Sequence, residues 1–370
     1  MTREDLEDYR YEMGPIRPPS EASSLLIRVT RNCEWNRCLF CPVYKDAEFS
    51  IRNPEHVMKD IDYIREYVDF LKAPSDNIVI EEPLAYESAI RWVAHNMKSV
   101  FLQDADALVV GADNLTKILN HLRDNFPAIE RVTSYARSST INKNGLEELI
   151  TLRQAGLSRI HVGLESGSDN VLKMVRKGAS KRIHIDAGLK IKMAGMELSE
   201  YIMPGLGGRG LSEEHAIESA DALNQIDPDF IRLRPLAFPV RAPLYEKVNS
   251  GAFDRCNDVE LVRELHTFIS HLEGITSYLV SDHILNLFAD LKGQLPGDKK
   301  RMLSITQKFL DLDEEEQLLY RFGRRLGAFT SLDDLADTSR RNRVSQVLSE
   351  HNVISQNIDD LLDQMMRRFI

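Results

Sequence analysis

Leu25-Leu-Ile-Arg-Val-Thr30 runs, through Arg31 and Asn32, into Cys33-Glu-Trp-Asn-Arg-Cys38-Leu-Phe-Cys41. The apolar, β-branched run reads as a buried strand, and the loop after it carries three of the chain's 4 cysteines in C-x4-C-x2-C spacing. Three thiolates on one loop can bind three irons of a cubane and leave the fourth iron without a protein ligand. A fourth thiolate would fill that position, but the remaining one, Cys256, lies more than 200 residues away. Two other readings stay open: a structural zinc site that recruits Cys256 or a histidine, and three inert cysteines. Zinc usually takes paired C-x2-C half-sites, and no second half-site exists. Buried inert cysteine is common, though not in threes on a loop bearing Trp35, Asn36 and Arg37.

Outward from this loop the pattern alternates. A helix is predicted near Pro54–Leu71, then a strand-like Asn-Ile-Val-Ile at 77–80 and a helix through Ala94. Strands are predicted at Val100–Leu102, Arg131–Tyr135, Arg159–Leu164, Leu198–Met203 and Phe230–Leu233. Helices fall between them at Asp113–Asn125, Lys143–Ala155, Asp169–Arg176 and from Ser212, where Ser212-Glu-Glu-His215 reads as a capping box. Strand–helix steps at this spacing fit repeated right-handed βαβ units, and the fold class is α/β, a partial (β/α)6 barrel of parallel strands. After residue 255 the strand signals stop. The expected organisation is an irregular N-terminal arm over 1–23, the barrel over 24–255 and a helical C-terminal region over 256–370.

Formal net charge is −10, which argues against a nucleic-acid partner. No stretch approaches 18 uninterrupted apolar residues, and the charged N-terminus lacks the apolar core of a secretory signal, so the expected location is cytoplasmic. Four cysteines, three of them clustered, point to metal and not to a disulfide framework.

Four further segments lie at predicted strand ends, where parallel barrels place their sites. They are Gln103-Asp104-Ala-Asp106, Ser134-Tyr-Ala-Arg137, Gly163-Leu-Glu165-Ser-Gly-Ser-Asp169 and Tyr201-Ile-Met-Pro-Gly205-Leu-Gly207-Gly208. With Phe40 just before the last loop cysteine, the chain over about residues 24–250 resembles the radical S-adenosylmethionine (SAM) superfamily. The Gly163–Asp169 segment is similar to that of the branch holding oxygen-independent coproporphyrinogen III oxidase and the Elp3-like catalytic domain. The usual family spacing is C-x3-C-x2-C, so this loop has one residue more.

The resemblance implies a [4Fe–4S] cluster on Cys33, Cys38 and Cys41 whose open iron chelates SAM. It implies that Asp104 meets the methionyl amine and that Arg137 pairs with the carboxylate. Glu165 would face ribose hydroxyls, and Lys177, 12 positions after Glu165, would contact SAM. Gly205 and Gly207 would bring backbone close to adenine, and Glu200 and Tyr201 lie where the oxidase carries an acidic SAM contact. Against each stands a plainer reading: a capped turn at Asp104, a surface arginine at Arg137, helix capping at Glu165, and a ligand-free tight turn at Gly205. The implied reaction is reductive SAM cleavage to a 5′-deoxyadenosyl radical that takes hydrogen from a small-molecule or lipid-like substrate, with flavodoxin or ferredoxin as electron donor. Auxiliary clusters are not expected, and neither is cobalamin-dependent methylation, for which the arm is too short. A non-catalytic zinc or iron–sulfur scaffold and a tRNA-modifying radical enzyme are the alternatives. Ser281-Asp-His283-Ile-Leu-Asn286 reads as the start of a helix whose histidine faces the barrel mouth or is structural, and Arg324-Arg325 as a solvated helix face.

Overall fold

The computed structural model describes residues 9–74 and 79–366. The strands are β1 (Leu25–Arg28), β2 (Ser99–Gln103), β3 (Arg131–Ala136), β4 (Leu157–Glu165), β5 (Glu197–Ile202), β6 (Phe230–Leu233), β7 (Tyr278–Val280) and β8 (Gly293–Gln294). They hydrogen-bond in sequence order in one sheet. Consecutive order without a reversal is the order of a barrel and not of a doubly wound sheet, whose strands switch direction of progression at a crevice. β1 to β4 pair in parallel, as do β5 to β7, and β8 runs antiparallel to β7. Asn53 caps the first long helix, Pro54–Lys72, by accepting from the Glu55 amide, and Val57, Ile61, Ile64 and Val68 form its buried stripe.

The chain divides into two compact units. The first comprises 1–36, 46–162 and 186–198; the second comprises 37–45, 163–185 and 199–370, so the boundary expected after residue 255 falls inside the second unit. In the first unit the described part of the N-terminal arm is anchored. Tyr9 donates to Asp60 (2.7 Å), Tyr11 to the Leu26 carbonyl (3.0 Å), and Gln103 bonds both the amide and the carbonyl of Gly14. Glu21 is fully buried beside Arg131 (3.3 Å) and His161 (3.5 Å).

In the second unit the expectation of helices alone after residue 255 is corrected by β7 and β8. Residues 281–292 form turns and not the expected helix. Asn286 is buried, donating to the Leu233 carbonyl (3.0 Å). Arg325 is not a solvated side chain: with Arg321 it grips Asp258, each at 3.2 Å, at the start of the helix Asp258–Ser270. Asn257 caps that helix reciprocally with Glu260. The helix Lys181–Met193 has no counterpart in the expected set, and Ser138–Lys143 and Leu146–Ala155 replace one predicted helix. Of the strand-like 77–80 run, 77 and 78 lie outside the described residues, and Val79 and Ile80 are exposed and not in a strand.

Burial alone would raise the Glu21 carboxyl, but His161, Ser24 and Arg131 outweigh it and hold it down at about 2. A carboxylate held below its unfolded value stabilises fully above that value and loses the contribution as pH falls through the folded one. Glu21→Gln should therefore cost about 2 kcal/mol in urea unfolding near neutral pH. The deficit should shrink as pH falls from 4.5 toward 2; a deficit independent of pH contradicts this.

Candidate functional site

The singled-out residues lie in or just after strands: Asp104 and Arg137 follow β2 and β3, Glu165 ends β4, Glu200 and Tyr201 lie in β5, and Gly205 and Gly207 follow it. In the first unit the cysteine loop begins after the two-residue ribbon Thr30–Arg31 with Ser50–Ile51. Asn32, just before Cys33, takes a left-handed conformation (φ 67°) and donates its amide to Asp104 (3.2 Å). Asp104 is completely buried and takes two bonds from Arg28, 2.7 and 3.0 Å long. The carboxylate expected to meet an ammonium group is thus already paired within the chain, where it fixes the entry to the loop.

Arg137 is likewise engaged. It caps the end of β3, donates to Glu34 (2.7 Å) and lies over the Trp35 ring at 5.2 Å. Thr140 adds a bond to the same Glu34 oxygen (3.2 Å). Asp106, fully buried, accepts from the Arg137 amide; burial and the nearby Glu34 push its carboxyl up to about 7. Glu34 and Trp35 are the residues directly after Cys33, so Arg137 clamps the first half of the loop.

The second half belongs to the second unit. Leu39 is buried in a core of Val171, Val175, Leu206, Leu236, Leu244 and Phe253. Its amide donates to the Val175 carbonyl (2.9 Å), and its carbonyl accepts from the Leu244 amide (2.8 Å). Cys38 sits 4.0 Å from the Lys177 carbonyl, and the Lys177 ammonium lies 5.8 Å from the Phe40 ring.

Lys177 also pairs with Glu165 at 3.0 Å, which brings two of the expected SAM contacts together. Glu165 ends β4 in a left-handed conformation (φ 63°). A Cβ on Gly163 would fall on its carboxylate and 2.9 Å from the Lys177 nitrogen, so glycine there makes room for the pair. Glu200 is fully buried, and neither of its carboxylate oxygens has a hydrogen-bond partner. Burial and then Glu165 raise its carboxyl well above the ordinary range, against the pull of Lys177.

Ser168 caps the helix Asp169–Met174, as its sequence suggests, but that helix has only 6 residues. Gly205 and Gly207 answer to the chain's own packing. A Cβ on Gly205 would meet Leu261 at 2.7 Å, and one on Gly207 would meet the Leu211 carbonyl at 2.7 Å and His215 at 3.2 Å. His215 is a buried hub that sequence reasoning missed. Its Nδ1 is 2.8 Å from the Ser166 hydroxyl and its Nε2 is 3.1 Å from the Met203 carbonyl. The capping reading of Ser212-Glu-Glu-His215 concealed it, since Ser212 donates instead to Glu264 (2.5 Å).

The family model of the Radical SAM superfamily matches residues 27–222, more than half of the 370-residue chain. The chain belongs to the radical SAM superfamily. It is 24% identical over 307 residues to a 4′-phospho-dehydrooxetanocin synthase of Priestia megaterium, covering 81% of this chain and 36% of that protein. It is 24% identical over 117 residues to a tRNA uridine(34) acetyltransferase of Methanocaldococcus infernus, covering 31% and 22% respectively. The chain thus spans little more than a third, or less, of these relatives' length. A solved structure of the cobalamin-dependent S-adenosylmethionine radical enzyme OxsB, with aqua-cobalamin and S-adenosylmethionine bound, is similar at TM-score 0.47 and 15% identity, over 93% of this chain and 54% of that one.

Radical SAM enzymes use a [4Fe–4S] cluster and SAM, and the donor set here fits them. Cys33, Cys38 and Cys41 are partly exposed and outside any disulfide. The Asn36 amide points at the Cys33 sulfur (3.5 Å). Among the described residues no three His, Cys, Asp or Glu side chains converge on a single-ion site. Burial and Glu264 push the Cys256 thiol up to about 12. No helix among the described residues is long and apolar enough to cross a membrane.

Lys177→Met removes the cation from beside two carboxyls, so Glu200 should move further up and Glu165 lose its partner. The cost in urea unfolding should be about 1–2 kcal/mol at neutral pH, and Lys177→Arg, which keeps a cation there, should cost less. Equal cost for the two variants would show that Lys177 does not act through its charge.

Proposed function

We propose that Cys33, Cys38 and Cys41 ligate a [4Fe–4S] cluster at which SAM is reductively cleaved to a 5′-deoxyadenosyl radical that abstracts hydrogen from a small substrate. The observation that carries this reading is a loop with three thiols and no fourth nearby in the sequence, with Glu34 held by Arg137 in the first unit and Leu39 buried in the core of the second. Glu165, turned by its left-handed backbone, accepts from ribose hydroxyls, and Lys177 holds it in place. The turn at Gly205 and Gly207 carries the backbone beside adenine. Asp104 and Arg137 act through the loop: Arg28 and Glu34 occupy their charged groups, and the two set where Cys33 begins.

The 81% coverage by a synthase of a phosphorylated product supports a small phosphorylated substrate, with flavodoxin or ferredoxin as electron donor in the cytoplasm. A tRNA substrate is the second reading, supported by the shorter match to the archaeal acetyltransferase and opposed by the net charge of −10.

Anaerobic reconstitution should give about four irons and four sulfides per chain, and dithionite with SAM should release 5′-deoxyadenosine. Cys38→Ala should abolish release while the fold persists by circular dichroism; undiminished release by this variant contradicts the ligand assignment. Tight tRNA binding that weakens steeply with salt would favour the second reading.

A further inference from the structure

The helix Asp258–Ser270 lies beyond the barrel, yet it sends one buried side chain to the loop after β5. Glu264 accepts the Gly205 amide at 2.7 Å with one carboxylate oxygen and the Ser212 hydroxyl at 2.5 Å with the other. The first oxygen is also 3.6 Å from His215 Nε2. His215 in turn joins two loops. Its Nε2–H donates to the Met203 carbonyl after β5, and its Nδ1 accepts from the Ser166 hydroxyl after β4. Ser166 accepts from the Ser168 amide (3.0 Å), and Ser219, 3.4 Å from His215, accepts from the Gly167 amide (2.9 Å). With His215 as the Nε2–H tautomer, the Met203 carbonyl and the Ser166 hydroxyl are both matched.

These bonds hold backbone groups, and the groups they hold are those of the two loops read as the SAM site. We propose that Glu264 and His215 are positioning residues that set the Ser166–Ser168 and Met203–Gly207 loops for SAM, which makes the C-terminal region part of the cofactor site. The proposal rests on the reading of those loops given above. Placement of Glu264 comes from the far side of its helix. Arg321 and Arg325 on Glu314–Arg325 grip Asp258, and Leu261, one turn before Glu264, fills the space against Gly205. A charged acceptor is used because an N–H···carboxylate bond is stronger than a neutral one, and a buried amide without a partner is costly.

The test uses the full chain. In the cluster-free protein, Glu264→Ala should speed hydrogen exchange of a peptide spanning Met203–Gly208 by about tenfold or more, as loss of a bond to a charged acceptor implies. In the reconstituted protein, SAM measured by equilibrium dialysis should bind about tenfold more weakly while iron content stays at the wild-type level. Glu264→Gln retains an acceptor for Gly205 and should stay within about threefold of wild type. Unchanged exchange and affinity in Glu264→Ala overturn the proposal. Should Glu264→Ala not fold, Ser212→Ala removes one of the two bonds and should weaken SAM by about threefold; no change there overturns it equally. A wild type that assembles no cluster or binds no SAM sinks the parent reading and this one together, whereas wild-type binding matched by Glu264→Ala sinks this one alone.

Discussion

Three thiols within nine residues can serve as fixed ligands only if both halves of their loop are tied down, and the ties are of different kinds. The first half is held by charge: Arg137 takes Glu34 and covers Trp35, while Asp104, locked by Arg28, accepts the Asn32 amide. The second half is held by packing: Leu39 is a buried peg whose amide and carbonyl are both bonded. A salt bridge alone would be a weak tether, but these groups are mostly buried and share several bonds, so moving one strands the others. The cysteines stay partly exposed while their neighbours carry the burial. That division suits a site which must be stiff in the backbone and open at the sulfurs.

Burial of charge recurs at each strand end, and its consequences differ with the partners. Asp104 is matched by a guanidinium and Glu165 by an ammonium, whereas at Glu200 burial dominates. Its raised carboxyl follows first from desolvation and then from the Glu165 charge, against the pull of Lys177.

Much of the barrel was legible in the chain. The runs around Arg131, Arg159, Leu198 and Phe230 are long enough, and apolar enough, for period and flanking turns to mark strands within a residue or two of β3 to β6. The cysteine loop and the Gly163–Asp169 segment could be singled out as candidates because their patterns are local. What escaped was short or distant. Tyr278–Val280 and Gly293–Gln294 are too brief to show a period, and Lys181–Met193 interleaves charges with its apolar residues. His215 bonds a serine 49 residues away and Glu264 an amide 59 residues away, contacts that no local pattern encodes. Asp104 and Arg137 were read as contacts to SAM, yet sequence could not reveal that Arg28 and Glu34 already engage them.

The central claim is that three side chains hold the cluster and one iron lacks a protein ligand. Mössbauer spectra of the anaerobic protein reconstituted with ⁵⁷Fe test it most directly. The account predicts that one iron in about four shifts on addition of SAM, while the others do not. Four irons that ignore SAM, or a preparation that holds zinc in place of a cluster, would contradict it.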